Sequence, residues 1–208
     1  MTGHDDLRAR VRDYYDGKLR AHGATPRGAD WNSLDSQELR FRELARLWEA
    51  EPKASIIDYG CGYGALAPWL RRHGHAGAYL GFDVSVEMIA AAAAASTGLC
   101  DVAFTANRQA VPPADFAAAS GVMNVKMDTP DAVWREYVLA TIAELAALGR
   151  RGFAFNALTS YSDADKQRDD LHYADPRELF DHCQRTYSRF VTLLHDYPLY
   201  EFTLLVRL

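Results

Sequence analysis

The chemistry in this chain concentrates in one run, Asp58-Tyr59-Gly60-Cys61-Gly62-Tyr63-Gly64. Glycines spaced this way let a backbone turn tightly and come close to a ligand, and a helix starting behind them offers free N–H groups to an anion. Asp83 follows, 19 residues past Gly64. An acid at the end of the next strand can accept hydrogen bonds from both hydroxyls of a ribose. The spacing therefore describes a nucleoside cofactor held between a glycine loop and an acid. Gly60-x-Gly62-x-x-Ala65 also satisfies the dinucleotide fingerprint, so a nicotinamide cofactor stands as the second class. Against it, Asp58 would repel a pyrophosphate but can bind an amino group, and Gly64 completes a D-x-G-x-G-x-G pattern.

Those residues need a strand before the loop and a helix after it. Ser55 to Tyr59 is a short apolar run that reads as a buried strand, and Ala65 to His73 reads as the following helix. The pattern then repeats. Strands are predicted at 78–82, 102–105, 115–120 and 152–156. Ser85 is predicted to cap an alanine-rich helix, and Thr129 to cap a helix that has Pro130 at its first position and stops at Gly149. Asp175, Pro176 and Glu178 predict one more helix with a capping box. Two final strands, 190–194 and 200–208, have only a short link and must pair antiparallel. Ahead of all this, helices are predicted over 4–22 and from an N-cap at Ser33 to Glu49. The fold class is α/β: a doubly wound, Rossmann-like, mostly parallel seven-stranded sheet with a C-terminal antiparallel hairpin and an N-terminal helical cap. Residues 1–52 form the cap and 53–208 the main domain.

With these elements in place, the sequence resembles the class I S-adenosylmethionine-dependent methyltransferases over roughly residues 53–208. The resemblance rests on Asp58-Tyr-Gly-Cys-Gly-Tyr-Gly64, the strand-end acid in Gly81-Phe-Asp83-Val-Ser, the Ser120-Gly-Val-Met-Asn124 segment and the terminal hairpin. It implies S-adenosylmethionine as the cofactor, with Gly60, Cys61, Gly62 and Gly64 against its methionine and Asp58 at the amino group. It further implies Asp83 on the ribose, Val84 and Met88 beside the adenine, and Ser120 in the cofactor site. Many members carry an acid after the third strand for the adenine amino group; here only Asn107, Arg108 and Gln109 are polar, and Asn107 is the candidate. Arg40 is the candidate partner of the cofactor carboxylate.

The acceptor is expected outside the carboxyl ends of the strands. Tyr14, Tyr15, Trp31 and Gln37 from the cap, Ser120 and Asn124, and the polar segment from Asn156 through Tyr161 to His172-Tyr173 are its candidate walls. His172 and His195, which titrate near neutrality, are the candidate proton acceptors, and Tyr161 joins them as a candidate catalytic residue. Cys61 reads more naturally as a small core residue than as a nucleophile.

The whole-chain arithmetic fits a small-molecule enzyme. Of 208 residues, 23 are Lys or Arg and 28 Asp or Glu, for a net charge of −5. That balance, without a basic cluster, argues against nucleic-acid targets. The longest apolar stretch, Met88 to Ala95, is too short to cross a bilayer. The start is charged rather than signal-like, and three scattered cysteines suit reduced thiols, so a cytoplasmic location is expected. Neither His73/His75 nor His182/Cys183 has a partner pair at ligand spacing, so no metal is expected. The expected partner is a small-molecule methyl acceptor; the alternatives are an NAD(P)-dependent oxidoreductase and a non-catalytic S-adenosylmethionine-binding protein.

Overall fold

The computed structural model describes residues 3–208, with side chains from Asp6 onward. Helix α1 spans Gly3–His22. A 3-10 turn at Pro26–Ala29, capped by Thr25, leads to α2 at Leu34–Ala45. Strands then alternate with helices: β1 (Ile56–Tyr59), α3 (Leu66–Arg72), β2 (Tyr79–Phe82), α4 (Val86–Ala95), β3 (Val102–Thr105) and β4 (Ala114–Ala119). The chain continues through α5 (Asp131–Leu148), β5 (Gly149–Leu158), α6 (Pro176–Thr186), β6 (Phe190–Leu194) and β7 (Glu201–Arg207).

The seven strands form one sheet in the order β3-β2-β1-β4-β5-β7-β6. Strands β1 to β5 are parallel; β7 runs antiparallel between β5 and β6. The strand order reverses between β1 and β4, and a crevice opens at such a switch point, outside the carboxyl ends of the strands.

Alternation along each strand feeds two apolar layers. On one face Trp134, Val138, Ile142 and Leu145 of α5 pack on Phe153 and Phe155 of β5 and on Phe202, Leu204 and Val206 of β7. Leu7 of α1 joins this layer. On the other face Phe41 and Leu44 of α2, with Leu66, Trp69 and Leu70 of α3, pack on Ile56, Tyr79 and Phe116.

The predicted caps at Ser33, Ser85 and Asp175 all accept a helix N–H. Three boundaries differ. α2 ends at Ala45, not Glu49, and the chain turns so that Leu47 and Trp48 still reach the core. Thr129 does not cap α5; Pro130 occupies that place, and the Thr129 hydroxyl is buried without a partner among the described residues. Glu178 makes no capping box, because it pairs with Arg135 of α5.

One long-range contact closes the cap onto the sheet. Arg40 of α2 and Glu201, the first residue of β7, form a buried two-point ion pair, Nε to Oε2 at 2.8 Å and Nη2 to Oε1 at 2.5 Å. The third guanidinium nitrogen donates to the Ser36 carbonyl at 2.7 Å. Removing one partner of such a pair strands a charge in low dielectric. Glu201→Gln is therefore expected to lower the unfolding free energy in urea by about 3–5 kcal/mol. The double change Arg40→Met with Glu201→Leu should recover most of that loss, because it removes both charges.

Candidate active site

Strand β1 ends at Tyr59, and the glycine loop begins at the next residue. Gly60, Gly62 and Gly64 all have positive φ (79°, 53° and 77°), the left-handed region that L side chains rarely adopt. Space imposes a second constraint. A Cβ on Gly60 would collide with Val122, and one on Gly64 would lie 2.8 Å from Ala92 and 2.9 Å from Phe104. The loop is pinned to β2, since the Gly60 and Cys61 N–H groups both donate to the Phe82 carbonyl, at 2.7 and 2.9 Å.

Asp83 follows β2 directly. Its Oδ2 accepts the Gly62 N–H and its Oδ1 the Ser85 N–H, each at 2.9 Å. Burial raises its pKa, and these N–H bonds oppose that rise. A carboxylate offers about four lone-pair sites, so both oxygens can still accept from another donor. Ser85 caps α4 at the Met88 N–H (2.9 Å) and donates its hydroxyl to Asp16 of α1. Arg20 of α1 pairs with Glu87 of α4, so α1 is latched beside the loop.

Asp58, two residues before the loop, is buried. The Tyr79 hydroxyl donates to its Oδ2 at 2.6 Å, and Oδ1 has no partner among the described residues. Desolvation pushes its pKa from 3.8 up to about 7. A cation brought to Oδ1 would restore the ionised form.

These groups line one cleft. The floor is the loop with Asp58, Asp83, Val84 and Met88; Ser120, Gly121 and Val122 after β4 form one side. The roof is one face of α1, carrying Arg8, Val11, Arg12 and Tyr15 at helical spacing. Trp31, Gln37, Phe41 and Tyr63 close the far end, where the Tyr63 hydroxyl donates to the Gln37 carbonyl at 2.7 Å.

Of the residues anticipated from sequence, Asp58, Gly60, Cys61, Gly62, Asp83, Val84, Met88 and Ser120 meet at this cleft, and Gly64 completes the loop behind it. Cys61 is buried with its thiol pKa pushed well up and lies where a Cβ on Gly81 would meet its sulfur at 2.8 Å, which makes it a packing residue. Five others are elsewhere. Arg40 is spent on Glu201. Asn107 is exposed and caps its own 3-10 turn at the Gln109 N–H. His172 is half-buried outside the cleft, its backbone N–H on the Asn124 carbonyl, and burial lowers its pKa. Tyr161 and His195 are exposed near each other at the hairpin, with ring centroids 5.9 Å apart. The segment 156–173 does not wall the cleft either; it pairs with the loop after β4 through the Val125–Leu171 bridge. Tyr14 is turned away and donates to Asp30 at 2.7 Å. Sequence reasoning missed Arg8, Arg12, Phe41 and Tyr137, although the i, i+3, i+4, i+7 spacing of residues 8, 11, 12 and 15 marks a single helix face.

A family model described as a methyltransferase domain matches residues 33–195. The chain belongs to this methyltransferase family. A curated relative from Mycobacterium tuberculosis, named "Putative methyltransferase Rv1506c", is 51% identical over 162 residues, covering 78% of this chain and 98% of the relative. The fold is similar to magnesium protoporphyrin IX methyltransferase (ChlM) from Synechocystis PCC 6803 with bound SAM, at a TM-score of 0.66 and 17% identity over 96% of each chain. It is equally similar to DhpI in a DhpI-SAM-HEP complex, at a TM-score of 0.66 and 18% identity over 100% of each chain.

The Asp58 pKa carries a pH signature. Between about pH 4 and 7 the folded state holds a proton on Asp58 that the unfolded state has released, so this group makes stability fall as pH rises through that window, then level off. Asp58→Asn should remove that fall. Urea unfolding at pH 8 is expected to find the ligand-free variant more stable than the native chain by a few kcal/mol, with the difference closing toward pH 4. A difference independent of pH would rule out a buried, protonated Asp58.

Proposed function

We propose that this methyltransferase transfers the methyl group of S-adenosylmethionine to a small-molecule acceptor, with residues 1–52 acting as the cap over the site. The observation that carries the reading is the convergence of the glycine loop, Asp83 and the half-satisfied Asp58 on one cleft at the β1/β4 switch point. The donor set suits that cofactor. Asp58 Oδ1 fits an amino group, the remaining lone pairs of Asp83 fit a ribose diol, and Val84 and Met88 present an apolar edge to a base. When bound, the cofactor supplies a methyl group activated by a positively charged sulfur. SAM in the ChlM and DhpI complexes supports the assignment.

The chain's own residues then orient and exclude water. The α1 roof, latched by Asp16 and Arg20, shields the cleft, and the aromatic face of Tyr15 suits a cationic guest. No histidine lines the cleft among the described residues. Alignment and desolvation are contributions these side chains can make, and effective molarity alone can supply much of such a barrier. A cleft under a cap, on a chain of net charge −5, favours a small acceptor over nucleic acid. Three unpaired cysteines fit a reducing cytoplasm, and among the described residues no helix is long and apolar enough to cross a membrane.

Calorimetric titration tests the reading. S-adenosylhomocysteine should bind at micromolar concentration while NAD(H) and NADP(H) do not, and Asp83→Ala should weaken binding by about 1–3 kcal/mol, as for hydrogen bonds to a charged group. Binding of a nicotinamide cofactor instead would transfer the glycine loop to an oxidoreductase. Unchanged affinity in Asp83→Ala would remove Asp83 from the ribose.

A further inference from the structure

Trp31 differs from the other tryptophans. Trp48, Trp69 and Trp134 are core residues, 2%, 5% and 0% exposed, whereas Trp31 is half-buried and borders open space on two sides. One side is the cofactor cleft; the other is a polar outer pocket formed with Lys18, His22, Arg27, Asp30 and Asn32. Trp31 is common to the lining of both.

It is also held unusually firmly. The Arg40 guanidinium lies over the ring, 4.1 Å from its centroid. That guanidinium cannot drift, because Glu201 takes two of its nitrogens and the Ser36 carbonyl the third. The benzo edge of the indole rests on Gly121, where any Cβ would collide with it. The Trp31 backbone N–H donates to the Pro26 carbonyl at 2.8 Å, fixing the ring's root. With a cation stacked on one face and its edge on Gly121, the indole is held as a rigid plane. A buried ion pair contributes little net stability but can fix a geometry. Here the geometry it fixes is that plane.

We propose that Trp31 is the specificity-determining wall of the acceptor site, positioned by Arg40 and Glu201, and that it selects acceptors carrying a flat, unsaturated ring whose polar substituents reach the outer pocket. This rests on the methyl-transfer reading above. The cofactor features lie over β1 and β2, while Trp31 stands against Gly121, just after β4, and also lines the outer pocket. A guanidinium on one side of the ring draws electron density from it, which favours a neutral π-surface over a second cation on the indole. Lys18, bound to Asp30 at 2.6 Å, and the outer-pocket residues Arg27 and Asn32 offer hydrogen bonds to hydroxyl or carboxylate substituents.

Trp31 is the tryptophan that solvent reaches, so fluorescence reads it directly, with Trp31→Phe as the blank. With S-adenosylhomocysteine bound, phenol, 4-hydroxybenzoate and 2-naphthol should quench the Trp31 signal saturably. Cyclohexanol and 4-hydroxycyclohexanecarboxylate, which keep the polar groups but lose the flat ring, should bind about tenfold more weakly, the order expected for one aromatic pair. The double variant Arg40→Met with Glu201→Leu keeps the packing volume and should lose that planar preference while holding S-adenosylhomocysteine with native affinity. Equal binding of flat and saturated probes, or no ring-dependent quenching on a protein that binds S-adenosylhomocysteine normally, would overturn the role of Trp31 alone. A loss of S-adenosylhomocysteine affinity in Trp31→Leu would also overturn it, by moving the indole to the cofactor. Failure of the native chain to bind S-adenosylhomocysteine would sink the methyl-transfer reading first, and this inference with it.

Discussion

Two backbone N–H groups from different elements meet on the carboxylate of Asp83, and most of the site depends on that convergence. The Gly62 N–H comes from the loop after β1 and the Ser85 N–H from the start of α4. Half-buried and raised in pKa by desolvation, this carboxylate is held by backbone N–H groups, and charge-assisted bonds of this kind are the stronger ones. Ser85 carries the register onward, capping α4 through Met88 and binding Asp16 on α1. Loop, strand end, helix start and roof are thus fixed relative to one another by two adjacent short segments, and the loop glycines need only supply a backbone that fits between Val122, Ala92 and Phe104.

A second constraint ties the chain's beginning to its end. Because β7 enters the sheet antiparallel, its first residue lies at the carboxyl ends of the parallel strands, beside the cleft rather than beneath it. An acid there can meet α2, and Glu201 meets Arg40 with every guanidinium nitrogen engaged. The desolvation cost of burying such a pair is offset only when its geometry is this complete. A fully engaged guanidinium gives Trp31 a fixed neighbour, and through Trp31 it gives the cleft a defined end.

The legible parts of this protein are those set by chemistry within a few residues. Ser33, Ser85 and Asp175 cap helices because a side-chain oxygen two or three residues upstream of an N–H finds it without help from the fold. The glycine loop, Asp83 and the hairpin were legible for the same reason. Illegible were the choices made across the chain. Arg40 looked available for a cofactor carboxylate, but its partner lies 161 positions away. Asn107 looked like a base reader, yet a local N–H claimed it first. Glu178 left its capping box for Arg135, and Thr129 lost the α5 cap to Pro130. His172, Tyr161 and His195 carry suitable chemistry, but the fold spends their segments elsewhere.

The polar residues around β4 and β5 show why side-chain type alone misleads at such a site. Asn156 is a candidate acceptor wall by sequence, but it is fully buried; its Oδ1 accepts the Gly121 N–H at 2.8 Å and its amide reaches the Ser120 hydroxyl. Asn124 accepts the Leu158 N–H at 3.2 Å. Both amides satisfy backbone groups that the ends of two adjacent strands would otherwise leave buried and unpaired, a cost the chain must avoid. The outcome is a loop held rigid with Gly121 against Trp31 and Val122 against Gly60. Rigid backbone and aromatic faces, beside the carboxylates Asp58 and Asp83, then make up much of the cleft. Such a surface suits a transfer whose difficulty lies in aligning two reactants and keeping water away, because alignment is what a pinned loop and a clamped ring can supply.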